Sequence, residues 1–362
     1  VRQKKREREN AEKEVDWKAL LPELLRLVMS LLVVKDNIKA STVCKAWYKS
    51  GASILMKDRH LWFMKYPISP GNIRPCELYD PSQKMTYLVK YPEVSGMTIY
   101  YSKDGWLLMH KDYPSDLFFF NPFTRQRISL PDCDYYIECA VFTCAPTSDR
   151  CLVFGLTNVD NNKKIVGVNT FRLGETRWET SLFMSPESFF AYYNKIIYSG
   201  DLFYCLGGLG SLAVFDPSNR TWNTPDLKYE GGSTTFTSSW FGTYLLEIKG
   251  DIFLLKCQDD KPRVFMLNRN INEGWTWKEK ERFEEGLTIY GAFRATEYRS
   301  NLENDMNNKL LLSDSHHPLI NTYFFDEGRY LPNKSSCFPT WNDNTIFQSI
   351  WIEPPKLSLD FI

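Results

Sequence analysis

A mainly β fold built from small repeated sheets is predicted by three observations. Aromatic residues make up 15% of the 362-residue chain, with 11 Trp, 20 Tyr and 24 Phe, and aromatic side chains suit the pleated, half-buried surface of a strand. Beyond position 85, short apolar runs bounded by Gly, Asp, Asn and Pro dominate. These runs recur as a unit of roughly 50 residues.

The unit can be read directly. Asp104-Gly105-Trp106-Leu107-Leu108-Met109 is followed by Leu117-Phe118-Phe119-Phe120-Asn121-Pro122-Phe123-Thr124 and then Arg127-Ile128-Ser129-Leu130-Pro131. Gly200-Asp201-Leu202-Phe203-Tyr204-Cys205 leads likewise to Leu212-Ala213-Val214-Phe215-Asp216-Pro217-Ser218 and Arg220-Thr221-Trp222. A third copy runs from Gly250-Asp251-Ile252-Phe253 to Arg263-Val264-Phe265-Met266 and Trp275-Thr276-Trp277, and weaker copies start at Cys151 and Leu310. Each copy is a turn, a strand, a turn, a strand, an Asn/Asp-Pro turn and a short strand, with a further apolar strand such as Cys139-Ala140-Val141-Phe142 ahead of the next copy. Sets of four short strands at this spacing are the pattern of β-propeller blades. The span beyond position 70 accommodates about six blades, with five as the alternative. A closed ring removes exposed edges, so Met85–Tyr91 is expected to pair with Phe347–Glu353. The propeller is placed at 85–362 and residues 63–84 are read as a linker.

Ahead of the repeats the period becomes helical. Pro22 suits the first turn of a helix, where its missing N–H is no loss, and Glu23 suits the positive end of the helix dipole. Leu24, Leu25, Val28, Leu31 and Leu32 then recur at spacings of one, three and four, an apolar stripe wider than about 100°. Asp36 is a good N-cap for a second helix, on which Ile38, Val43 and Trp47 supply the apolar face. Two helices this short cannot bury both faces alone. They either pad the β domain or present apolar surface to a partner.

Position by position, Trp17, Leu21-Pro22, Leu24-Leu25, Val28, Leu31, Asp36, Val43-Cys44-Lys45, Trp47 and Leu61-Trp62 resemble an F-box, placed at 15–62 behind a charged tail at 1–14. The resemblance implies a three-helix motif whose Leu-Pro pair docks on a Skp-type adaptor and, through it, a cullin. It implies adaptor-binding roles for Leu21, Pro22, Leu24, Leu25, Val28, Leu31, Leu32, Ile38, Val43, Cys44 and Trp47. Tyr48, where many members carry arginine, departs from the family pattern without disturbing an apolar dock. The β domain resembles the degenerate, kelch-like domain that follows the F-box in many plant F-box proteins, through Asp104-Gly105-Trp106 and Asn121-Pro122-Phe123-Thr124, and Gly207-Gly208 with Phe215-Asp216-Pro217 and Trp222 is similar to a kelch repeat. Together these resemblances imply a non-catalytic substrate-recognition subunit of an SCF-type ubiquitin ligase. A scaffold without degradation and a propeller hydrolase with an appended dock are the alternatives.

Charge is balanced overall, 44 Lys and Arg against 44 Asp and Glu. Residues 1–62 carry 14 basic and 8 acidic side chains, leaving a net of −6 on the remainder. With balanced charge and no apolar run of the length of a membrane helix, neither nucleic acid nor membrane is expected as a partner. Lys4, Lys5, Arg6 and Arg8 interleave with Glu7, Glu9, Glu12 and Glu14, which reads as a solvated tail rather than a nuclear address. Nine cysteines, an odd and scattered set, argue for a reducing compartment, and cytoplasmic or nuclear localisation is expected. On that reading the sequons at Asn219 and Asn333 are fortuitous.

No cofactor, metal or catalytic residue is expected. Gly207-Gly208-Leu209-Gly210 is followed by another strand rather than by a helix N-terminus that could hold a phosphate. Cys133, Cys139, Cys144 and Cys151 lack a zinc spacing, and His316-His317 beside Asp314 reads as a solvated turn. Ser102-Lys103-Asp104-Gly105-Trp106 resembles a glycosidase turn, yet the other copies point to a tight blade turn. Target recognition is expected on the longer connections, Asn158–Lys164, Lys228–Ser239, Asp259–Lys261 and Tyr298–Asn308, with Glu297, Glu303 and Asp305 as the candidate target-binding residues.

Overall fold

The computed structural model describes residues 20–30, 32, 40, 43–55, 60–68, 75–81, 84–111, 116–160, 162, 164–185, 189, 195–208, 210–229, 242–257, 261–270, 274–284, 286–292, 294–300, 302, 307–313, 320–331 and 347–354. The described α-helices belong to one compact unit and the strands to a second, positions 59–354. In the first, α1 (Pro22–Ser30) packs on α2 (Lys45–Leu55).

The second unit forms six sheets among the described residues, the six blades of a propeller. Blade 1 holds β1 (Trp62–Pro67), β2 (Cys76–Asp80) and β3 (Met85–Val89), joined on its inner side by β26 (Phe347–Ile352). Blade 2 is β4 (Thr98–Lys103), β5 (Trp106–Lys111), β6 (Asp116–Phe120) and β7 (Arg127–Ser129). Blade 3 is β8 (Cys139–Phe142), β9 (Leu152–Asn158), β10 (Ile165–Arg172) and β11 (Glu179–Met184). Blade 4 is β12 (Ile196–Ser199), β13 (Leu202–Leu206), β14 (Leu212–Asp216) and β15 (Thr221–Asn223). Blade 5 runs outward from β17 (Thr243–Ile248) through β18 (Asp251–Lys256), β19 (Arg263–Asn270) and β20 (Gly274–Lys280) to β16 (Leu227–Tyr229), which pairs in parallel with β20 and covers its edge. Blade 6 runs from β22 (Thr296–Ser300) through β21 (Leu287–Gly291), β23 (Lys309–Ser313) and β24 (Ile320–Phe324) to β25 (Arg329–Tyr330).

The repeated Gly and Asp residues make the turns. Asp104 and Gly105 have φ of 49° and 77°, Gly200 and Asp201 54° and 63°, Lys249 and Gly250 53° and 91°. Two consecutive left-handed residues form the two-residue hairpin turn whose twist matches its strands. The Asn/Asp-Pro segments close the next hairpin. The Asn121 carboxamide oxygen accepts from the Phe123 and Thr124 N–H groups at 2.9 and 3.0 Å, and the Asp216 carboxylate accepts from Ser218 N–H at 2.8 Å. The inner strands β4, β8, β12, β17, β22 and β26 stand around the axis. In blades 2, 4 and 5 the turns after first and third strands emerge at one end, the tight-turn end. Second-to-third connections and links between blades emerge at the other, the long-connector end.

The aromatic residues glue blade to blade. Phe203 stacks on Phe154 of blade 3 at 4.4 Å, while its neighbour Tyr204 faces Leu254 and Trp277 of blade 5. Successive side chains thus enter opposite interfaces, both buried, so these strands read as continuous apolar runs. Phe119 and Phe142 join blades 2 and 3 edge to face at 5.0 Å. Leu246, Leu255 and Val264 join blade 5 to Ile289 and Leu310 of blade 6. Burying each such ring contributes on the order of 2 kcal/mol.

Ring closure corrects three expectations. Phe347–Ile352 pairs with β1, Trp62 opposite Ile352 and Pro67 opposite Phe347, whereas Met85–Val89 forms the far edge of the same sheet. The segment 63–84, read as a linker, contains two strands of blade 1. Leu61 and Trp62, read as the tail of the F-box, belong to the propeller, with Leu61 buried beside Tyr290 and Trp351. Trp62–Pro67 is buried along its whole length, so no alternation marks it as a strand. Blade 6 adds an irregularity. The chain leaves β20, returns to the tight-turn end past Phe283, and runs back as β21 in parallel with β23 before β22 takes the inner position.

Candidate functional site

The helical unit exposes an apolar surface. Pro22 opens α1, and the Leu25 N–H donates to the Leu21 carbonyl at 3.0 Å. Leu25 and Met29 are 1% and 0% exposed, the core of the unit with Ser50 of α2. Leu21, Leu24, Leu27 and Val43 are 63%, 51%, 59% and 55% exposed. Pro22 is exposed with them, and Val28, Leu32, Cys44 and Trp47 are half-buried. Leu31 and Ile38 lie outside the described residues. The structure therefore divides the sequence-derived set: Leu25 holds the helices together, while Leu21, Pro22, Leu24 and Val43 face outward. Leu27 was missing from that set. Its signal was the three-residue step from Leu21 to Leu24 to Leu27.

In the propeller, a polar cavity lies where the inner strands end. Tyr101 and Lys103 of β4, Phe142 of β8, Tyr198 of β12, Glu247 of β17 and Glu297 and Arg299 of β22 line a cavity of about 130 Å³. Strands of five blades meet there, which places it on the axis at the tight-turn end. The Arg299 guanidinium lies 3.0 Å from a Glu297 oxygen and 3.6 Å from Glu353, just past β26. Tyr101 first, then Glu297, Asp104 and Glu247, raise the Lys103 ammonium above its ordinary range, against the opposing effect of burial. Burial pushes the Tyr101 phenol up. Of the three candidate target-binding residues, Glu297 lies in this cavity and on a strand, while Glu303 and Asp305 lie outside the described residues. Strands β9, β16 and β18 end at the long-connector end, whereas β22 ends at the tight-turn end.

The sequence profile of the KIB1-4 beta-propeller family matches residues 78–301, from β2 to the end of β22. The chain belongs to this family. Relatives over most of the chain are named as F-box proteins: the F-box protein At4g00893 of Arabidopsis thaliana is 35% identical over 93% of this chain and 86% of its own length. The F-box/kelch-repeat protein At1g57790 of the same plant is 34% identical over 96% of this chain and 97% of its own. The F-box protein KIB3, also from Arabidopsis thaliana, is 30% identical over 31% of this chain.

In this KIB1-4 propeller the residues weighed for catalysis have structural partners. The Asp104 carboxylate accepts the Ala145 N–H at 2.9 Å and so ties the first turn of blade 2 to blade 3. Gly207 sits so close to Phe189 and Ser211 that a Cβ would fall 2.7 Å from each. Cys139, Cys151 and Cys205 are buried thiols, raised in pKa by burial, the first two to about 12. Among the described residues no group of three or more His, Cys, Asp or Glu could hold a metal, and Asp314, His316 and His317 lie outside them.

Proposed function

We propose that this chain is the substrate-recognition subunit of an SCF-type ubiquitin ligase, a receptor without catalysis of its own. The helical unit docks a Skp-type adaptor and through it a cullin, and the propeller holds a target protein. The observation that carries this reading is the exposed set Leu21, Leu24, Leu27 and Val43 on a helix pair whose interior is Leu25 and Met29. Apolar side chains that a small unit leaves in water are stabilised by a partner that covers them. The mechanism is proximity: a lysine of a held target meets a charged ubiquitin carrier at high effective concentration. A cytoplasmic or nuclear site of action accords with the eight free cysteines among the described residues.

Co-expression with a Skp-type adaptor tests the reading. The adaptor should co-purify with the wild-type chain and be lost on Leu21→Asp or Pro22→Asp, with the thermal unfolding of the propeller unchanged. Adaptor retained by both variants would overturn it.

A further inference from the structure

We propose that the tight-turn mouth of the channel receives a cationic side chain, the guanidinium of an arginine or the ammonium of a lysine, from the protein target; the proposal rests on the receptor reading above. The cavity of about 130 Å³ has the size of one long side chain, and the hairpin turns beside it, Asp104-Gly105, Gly200-Asp201 and Lys249-Gly250, are only two residues long. A protein surface can therefore come close enough to insert a side chain along the axis.

The charges select its sign. Glu247 and Glu297 line the cavity with Lys103 and Arg299, and Arg299 is already held by Glu297 and, from just past β26, by Glu353, which leaves Glu247 facing Lys103 alone. Glu247 accepts the Gly250 N–H, and no cation lies within ion-pair distance of its carboxylate among the described residues. Tyr101, Tyr198 and Tyr298 add aromatic rings to the lining, and ring faces attract guanidinium and ammonium groups. Lys103 is the resident competitor: it occupies the same field, and removing its charge favours an incoming cation. An anionic ligand would require the reverse, with Lys103 as its principal contact.

Titration calorimetry of the full chain with acetyl-hexa-arginine amide and with its neutral hexa-citrulline counterpart tests the assignment. The arginine peptide should bind and the citrulline peptide should not. Glu247→Gln, which keeps an oxygen for the Gly250 N–H, should weaken binding about tenfold, and Lys103→Met should tighten it. Asp132→Asn, an equal charge change on an exposed residue of the link between blades 2 and 3 that does not line the cavity, should leave binding unchanged. Equal binding of the two peptides, loss of binding in Lys103→Met, or a Glu247→Gln effect no larger than that of Asp132→Asn would each overturn the proposal. Adaptor co-purification is scored on the same preparations. If it persists while the peptide pattern fails, the channel site alone falls; if it fails while the pattern holds, the ligase reading falls and the site stands.

Discussion

The Trp351 indole N–H donates to the Gly291 carbonyl oxygen at 3.2 Å, joining the last strand of the chain to the inserted strand of blade 6. The indole also packs 5.0 Å from the rings of Phe63 and Tyr290, so one side chain bridges the ends of the ring.

Trp351 is therefore the point at which closure can be weakened. Trp351→Phe retains most of the ring packing but leaves a buried carbonyl without this donor, a loss of about 1 kcal/mol. Trp351→Ala also opens a cavity, for a total of about 3–5 kcal/mol. Urea midpoints should fall in that order, and equal midpoints for the two variants would show that packing at this seam is unimportant.

How far the sequence discloses such features depends on how local they are. The Asp104-Gly105 and Asn121-Pro122 turns were legible because their geometry is decided within four residues. The pairing of β26 with β1 was not, because partner choice joins segments separated by nearly the whole chain and Trp62–Pro67 has no alternation to mark it. Leu25 and Leu27 show the same limit on a helix. Periodicity identifies apolar residues, but only the position of α2 shows that Leu25 is core and Leu27 is surface. The channel mouth was least legible of all, since Lys103, Glu247 and Glu297 meet only when five strands converge.

Gly207 is a glycine for reasons of space. Gly207→Ala would press a methyl group against Phe189 and Ser211, and overpacking of this kind costs about 1–3 kcal/mol. Adding Phe189→Leu should return part of that loss, because the two sites share one contact. A double variant whose destabilisation equals the sum of the single effects would contradict the assignment.

Lys195, buried just before β12, has a pKa lowered to about 8 by desolvation. Its ordinary value is 10.5, so between these values the unfolded chain binds more protons than the native one. The contribution of this group to stability therefore rises as pH increases from about 8 toward 10.5. Lys195→Met should be more stable than wild type at neutral pH by on the order of 3 kcal/mol, and the advantage should shrink as pH approaches 10. Melting temperatures of both proteins over that range decide the matter, and a constant difference would count against it.

The division of α1 into an inner and an outer set yields the most direct test of docking. Leu25 is buried against α2, so Leu25→Ala should cost the helical unit about 2–5 kcal/mol and reduce its helicity. Leu24 and Leu27 are more than half exposed, and removing either leaves the helix core untouched. Their truncation to alanine should preserve the far-ultraviolet helical signal while weakening adaptor binding, by about tenfold or more if each fills a pocket on the partner. Titrating the adaptor into the full chain separates the two effects: loss of affinity with retained helicity identifies a docking face, whereas affinity lost only when helicity is lost would mean that the exposed leucines are bystanders and that the adaptor reads another surface.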